Sequence, residues 1–286
     1  MATSLAVLDR ELEALDALEL HRGRARSRVA RLWSSTWPKL AAAALVVACW
    51  QLVVWSHWKP ESLLPDPGRV LARLYQNTRD PGFFVAVAIT LRRAFIGYAL
   101  ALVLGSLIGL AVARTRIVRA AIGAVITGLQ TMPSIVWFPL AILLFQLTEQ
   151  AILLVVVLGA APAIANGLIS GIDHIPPLLL RSGRVIGARG PRLYRYVILP
   201  AALPAFLGGL KQGWAFAWRS LMAGELLVLL GNQPSLGWRL HFARTARDAD
   251  GLLAAMIVIL LIGMTIDALF SHADRAISRR WGLADA

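Results

Sequence analysis

The sequence predicts an all-α polytopic membrane protein with about six transmembrane helices. Three observations carry that expectation. Of 286 residues, 58% are hydrophobic and 16% charged, against roughly 45–50% and about 25% in soluble domains. The apolar residues gather in six runs, each close to the ~20 residues that cross a hydrocarbon core of about 30 Å as a helix. The 29 Lys and Arg concentrate between alternate runs. An outer-membrane barrel would show short alternating segments instead. Composition also excludes disorder, collagen and a disulfide scaffold. The single cysteine, Cys49, has no internal partner, and its apolar setting reads as a buried, inert thiol.

Residues 1–39 form a polar tail. Asp9, Glu11, Glu13, Asp16 and Glu19 precede Arg22, Arg24, Arg26, Arg28 and Arg31, and residues 5–20 suit a short amphipathic helix. The first apolar run starts about 40 residues in, too late for a cleaved signal peptide. The membrane domain is expected over 40–282, with a tail at 283–286. Its spans fall at about 40–55, 94–113, 120–145, 151–169, 202–230 and 252–270, the third interrupted by Pro133 and Pro139. Gly105, Gly109 and Gly123 suit close helix packing.

The charges orient these spans. With the N-terminus inside, eighteen Lys and Arg fall on the cytoplasmic side, in both tails and the loops near 114–119 and 173–196, and nine fall outside. The bias places both termini in the cytoplasm of a multi-pass plasma-membrane protein. The net charge of +13, which in a soluble protein would suggest nucleic acid, is then topology, and no nucleic-acid partner is expected. Lipid anchoring is the default role for the basic cluster before the first span.

The segment 171–200 is too long for an idle helix–helix connection of 2–8 residues. Asp173 can cap a helix whose first turn accepts Pro176 and Pro177. Residues 178–186 have helical spacing, and Gly187 and Gly190 stop it. Pro191 can open a second short helix through Tyr196, and Pro200 marks entry to the fifth span. Gly187 suits a turn that needs positive φ or a close approach. The loop is basic, with Arg181, Arg184, Arg189, Arg192 and Arg195. It reads either as a docking element for a soluble partner or as a membrane-surface helix on anionic lipid.

Gly187-Ala188, Val197-Ile198-Leu199-Pro200, Pro204 and Gly209 resemble the "EAA" loop of ABC-importer permeases. Further stretches are similar to the nitrate/sulfonate/taurine branch: Leu129–Ser134 with Trp137–Leu140, Ala217-Trp218, Ala223–Leu226, Leu236-Gly237, Asp267 and Arg280-Trp281. The resemblance covers about residues 60–282. It implies a type I importer permease fold in which 171–200 is the coupling loop, seated on an ATPase subunit. Two ATPase subunits, a second permease copy (a homodimer) and an extracytoplasmic solute-binding protein follow as partners. ATP belongs to the ATPase, and no cofactor to this chain. The solute is expected to be small, an organic or inorganic anion such as a sulfonate, nitrate or a taurine-like molecule. An ATP-independent secondary carrier is the alternative, and the halves show no convincing repeat. Arg181 stands where the family carries its loop Glu, Ser182 and Gly183 stand where it carries two alanines, and Gln146–Glu149 replaces its glycine-rich turn. The coupling residues expected are Arg181, Ser182, Gly183, Gly187, Ala188 and Pro200.

Charges inside spans usually face a cavity or another helix. The fifth span carries Lys211, Arg219 and Glu225 with Trp214 and Trp218. Lys211 and Glu225 share a face but lie about 21 Å apart along the axis, so they cannot pair. Lys211 or Arg219 can line an anion path. Structurally, Glu225 can pair with Arg92 or Arg93, the cations can snorkel, and Asp267 can serve as a partner at the cytoplasmic end. The candidate path comprises Pro133, Trp137, Lys211, Trp214, Trp218, Arg219 and Glu225. The break at Pro133 and Pro139 is either a substrate-facing gate or a packing kink. No enzyme motif appears: there is no Walker A, His-Glu-x-x-His or Gly-x-Ser-x-Gly. The five histidines are scattered without metal-ligand spacing.

Overall fold

The computed structural model describes residues 28–114, 116–231 and 233–280, all helices and short connections. It divides into two units at Glu61/Ser62. The first unit contains α1 (Arg28–Trp55), an apolar helix about 42 Å long at 1.5 Å per residue. The helix begins eleven residues before the expected end of the polar tail. Cys49 is exposed on it, which corrects the buried-thiol reading. An apolar run signals burial in protein or contact with lipid alike, and α1 presents apolar residues all round. The amphipathic reading of 5–20 and the cluster at Arg22–Arg26 lie outside the described residues.

The second unit runs α2 (Pro67–Asn77), α3 (Pro81–Arg114), α4 (Arg116–Thr131), α5 (Phe138–Phe145), α6 (Glu149–Asp173), α7 (Pro177–Val185), α8 (Leu199–Leu227), α9 (Leu236–Thr245) and α10 (Ala249–Arg280). Helices α1, α3, α6, α8 and α10 are long and apolar enough to span a membrane. The pair α4–α5, bent by 103°, makes the sixth span if counted as one. Pro133 causes that bend. Its extended backbone (ψ 128°) ends the helix before a 3-10 turn at Ser134–Trp137. Pro139 does not break the chain as expected; it sits in the first turn of α5, where a missing N–H costs nothing.

Helix α6 is the centre of the unit. Its apolar window is 61% buried, against 28% for α3 and 17% for α10. Ala160, Ala161, Ile164 and Val156 pack there with Ala101 of α3 and Trp214, Ala217 and Leu221 of α8. The helices meet on small residues. A Cβ on Gly167 of α6 would lie 2.5 Å from Cα of Gly209 on α8, and one on Gly105 of α3 would lie 2.6 Å from the carbonyl of Ala161. Without a hydrophobic drive between helices in lipid, such backbone approach supplies the dispersion contact that holds them. Gly109 packs similarly, but Gly123 faces open space, so its packing role is not realised in this chain.

Outside the long helices, α2 and α9 cover one end of the unit. Asp66 caps α2 by accepting from the Arg69 N–H at 3.1 Å, and Ser235 caps α9 by accepting from Trp238 N–H at 3.2 Å. Arg69–Asp250 (2.9 Å) and Arg73–Asp248 (2.6 Å) fasten α2 to the start of α10. Arg239 on α9 pairs with Asp80 before α3. That hydrogen bond, and those from the N–H groups of Gly82 and Phe83, hold the Asp80 carboxyl below its usual range.

Candidate coupling loop and intramembrane charges

The loop between α6 and α8 is built around α7. This helix ends in a Schellman motif: Ala188 N–H donates to the Gly183 carbonyl at 2.9 Å and Gly187 N–H to that of Arg184 at 3.1 Å. Gly187 has φ +88° and nothing within 4 Å of a built Cβ. Positive φ, not close approach, is therefore what requires glycine there. Gly190 also has positive φ, +53°, and turns the chain into Pro191.

Two expectations about this loop are corrected. Asp173 does not cap α7, whose N-cap is Pro176. Asp173 instead ends α6 and pairs with Arg119 of α4. Nor does the second short helix stand apart. Pro191–Leu193 runs through a π turn at Tyr194–Ile198 directly into α8. Pro200 explains the π turn. It has no N–H and its ring crowds the carbonyl four residues back, so the turn widens and Leu199 N–H reaches Tyr194 instead.

Gly183 is the buried residue of α7; a Cβ there would lie 2.9 Å from Val197 of that turn and 3.2 Å from Leu193 just before it. The opposite side is open. Arg181, Ser182, Arg184 and Gly187 are exposed, as are Leu178, Val185 and Ile186, the last two more than 80% exposed. Between Pro177 and Ile198 there are five Arg and no acid. The loop thus presents a rigid apolar and cationic face tied by helix to α8 and by Arg119–Asp173 to α4.

Within the spans, Glu225 sits in a closed network. Its carboxylate accepts from Arg93 Nη1 at 3.0 Å, Thr90 Oγ1 at 2.9 Å and Gly237 N–H at 3.0 Å. Thr90 Oγ1 also accepts from Leu236 N–H at 2.9 Å. The carboxylate therefore caps the N-terminus of α9, where amides lack intrahelical acceptors and the dipole favours an anion. Arg93 continues to Gln233 at 2.8 Å. Arg92 pairs with Glu149 at 2.8 Å. Sequence reasoning offered Arg92 or Arg93 as the partner of Glu225, of which Arg93 is the one, and missed Thr90 and Gly237. A Cβ on Gly237 would strike Glu225, and the Leu-Gly at the start of α9 was the available signal.

Trp214 and Trp218 are likewise enclosed. They stack with centroids 6.3 Å apart, and Trp214 also packs on Tyr98, Phe95 and Phe270. Glu225, Trp214 and Trp218 are thus in the core of this chain and do not line an opening in it. The other candidates are accessible. Pro133 and Arg219 are exposed, Trp137 and Lys211 half-buried. Arg219 donates Nε–H to the Ala215 carbonyl at 3.1 Å, lies over Phe216 and pairs with no acid among the described residues. Lys211 pairs with Asp267 at 3.4 Å and donates to Ser271 Oγ at 2.9 Å. No group of three potential metal ligands occurs among the described residues.

Residues 101–280 match the family described as "Binding-protein-dependent transport system inner membrane component". A putative ABC transporter permease protein of Methanocaldococcus jannaschii is 28% identical over 80% of this chain and 86% of its own length. The taurine transport system permease protein of Escherichia coli is 26% identical over 84% and 87%, and the nitrate import permease protein of Synechococcus elongatus 25% identical over 84% and 89%. Among solved structures, the MetNI methionine ABC transporter in an inward-facing conformation superposes with a TM-score of 0.58, at 21% identity over 69% of this chain and 98% of that one. A bacterial ABC transporter involved in import of the acidic polysaccharide alginate superposes with a TM-score of 0.58, at 14% identity over 87% and 99%. The chain has the type I ABC importer permease fold and belongs to the binding-protein-dependent transport system inner membrane components, the permease subunits of ABC importers.

Proposed function

We propose that this chain pairs with a second copy of itself to enclose a path for a small solute with an acidic group, of the sulfonate, nitrate or taurine kind. Both termini lie in the cytoplasm. Two separate ATPase subunits bind and hydrolyse ATP, and an extracytoplasmic binding protein delivers the solute. The observation that carries this reading is α7. It is a helix closed by a Schellman motif, open on an apolar and cationic face, packed through Gly183 on Val197 and joined by the short turn at 186–190 to the long helix Pro191–Leu227. Such an element transmits a push instead of absorbing it. Arg181, Ser182, Gly187 and Ala188 belong to the docking piece, Gly183 seats it against Val197, and Pro200 passes the motion into α8. Arg219, an exposed guanidinium within a span, supports an acidic solute, since a cation at that depth needs water or a counter-charge. Pro133 and Trp137 stand at the break beside that path.

The test is ATP-driven uptake in proteoliposomes holding the chain, its ATPase and binding protein. Uptake requires ATP, and Gly187→Pro abolishes it, because proline has neither the positive φ nor the N–H that closes α7. Uptake without ATP would favour a secondary carrier and overturn the reading.

A further inference from the structure

Arg119 draws together the ends of three spans beside the coupling loop. It stands in the first turn of α4. Its guanidinium donates to Asp173, the last residue of α6, and to the carbonyl of Ala113 in the last turn of α3 at 3.2 Å. Asp173 is also the root of the loop: only His174, Ile175 and Pro176 separate it from α7. That link has little slack, since His174 N–H donates back to the Ser170 carbonyl at 3.1 Å and Ile175 is buried. Beside it, a Cβ on Gly171 of α6 would lie 2.7 Å from the carbonyl of Ala202 on α8. The end of α6, α7 and the start of α8 therefore form one block. Packing holds α4 to that block only lightly. Ile126 is its one buried residue among those described, against Val112 and Ala165, and a Cβ on Gly123 or Gly128 meets nothing within 4 Å. Polar contacts hold α4 at both ends instead. Arg119 is one; the other, about 16 Å away, is Gln130, whose Nε2 donates to the Pro162 carbonyl of α6 at 2.9 Å.

We propose that Arg119 is a positioning residue for coupling: it harnesses α4 to the end of α6, so that the broken span follows the block when α7 moves. This rests on the transport reading above and adds to it a requirement outside the ATPase seat. Beyond Pro133 the other half of that span needs no harness, because Phe138 and Ala141 of α5 are buried in the core. Without the guanidinium, the half of α4 nearest the loop keeps neither Asp173 nor the Ala113 carbonyl, and movement of the block leaves it behind. Hydrolysis then continues while the path fails to follow. The paired side chains are 37% and 36% exposed. A pair so open adds little to stability, so its loss separates coupling from folding.

The test uses the complete permease–ATPase complex with its binding protein in proteoliposomes. Uptake of radiolabelled taurine, nitrate or ethanesulfonate, whichever the unaltered complex moves fastest, is measured together with phosphate release. Arg119→Ala should assemble with the ATPase and hydrolyse ATP, but the solute moved per ATP should fall about threefold or more. Exchanging the pair, Arg119→Asp with Asp173→Arg, should restore about half of that ratio or more. The exchange places an acid at the start of α4 and a base at the end of α6, as both helix dipoles favour. Asp173→Asn removes the same contact from the α6 side and decides the matter if Arg119→Ala does not assemble. A merely structural pair would lower the yield of complex and leave the ratio intact. A ratio unchanged by loss of the pair, or one that the exchange does not restore, would overturn the harness. If the unaltered complex takes up none of the three probes with ATP, the transport reading falls and the harness with it; if uptake is ATP-driven and only the ratio is insensitive, the harness alone falls.

Discussion

The buried pair Arg93–Glu225 permits a quantitative prediction. Both side chains are at most 1% exposed, with Nη1 and Oε1 3.0 Å apart. At an effective dielectric of about 20, that separation corresponds to an attraction of about 5–6 kcal/mol. Desolvation offsets much of it, so the informative quantity is the cost of leaving one charge alone, about 3–5 kcal/mol. Arg93 has a fallback in Glu149, whose Oε1 lies 3.7 Å from Nε, and Glu225 has one in Thr90 and Gly237 N–H. Each single change, Glu225→Gln or Arg93→Met, should therefore cost about 3 kcal/mol, the low end of the range. The double variant should cost at least 2 kcal/mol less than their sum. SDS-titrated unfolding of the purified chain in mixed micelles measures the three differences. Losses that add within ~0.5 kcal/mol, as for independent sites, would show that the pair is not the unit described here.

Three further outcomes follow from named positions. Gln146 holds φ +58° and ψ −160°, a region essentially reserved for glycine, so Gln146→Gly should stabilise the chain by about 1–3 kcal/mol in the same titration. Gly167→Val should separate α6 from α8 at Gly209 and destabilise more than Gly123→Val, which meets open space. Asp80 titrates below its ordinary value of 3.8 in the folded chain. Its contribution is therefore present above about pH 3.8 and lost as pH falls through the depressed value. Protection of the Gly82 amide, which donates to Asp80 at 2.9 Å, taken relative to its intrinsic exchange rate at each pH, should fall in that acid range, and Asp80→Asn should remove the step.

Much of the fold was legible because lipid requires what hydropathy counts. The spans and the loop at 171–200 were found from apolar runs and loop length. Which span is central was not legible by hydropathy, since α3, α6 and α10 are almost equally apolar while their burial differs more than threefold. The small residues of α6, from Gly159 to Gly171, carried that information. Pro133 and Pro139 look alike in sequence, yet one breaks the chain and the other opens a helix, because proline is tolerated in a first turn. Asp173 read as a cap until a distant arginine, Arg119, was brought beside it; such pairings depend on packing between helices. Five of the nine basic residues expected outside, Arg69, Arg73, Arg92, Arg93 and Arg239, are paired with acids. Glu225 and the two tryptophans share a face with Lys211, but periodicity alone does not say whether a neighbour closes that face.

The central claim is that the open face of α7 is the seat of the ATPase. The affinity of the purified ATPase subunit for the chain, before and after Arg181→Glu with Val185→Asp, tests it most directly. Both positions are exposed and absent from the core, so the helices should form as before. The prediction is at least a tenfold loss of affinity, about 1.4 kcal/mol or more. Unchanged affinity in a folded double variant would contradict it.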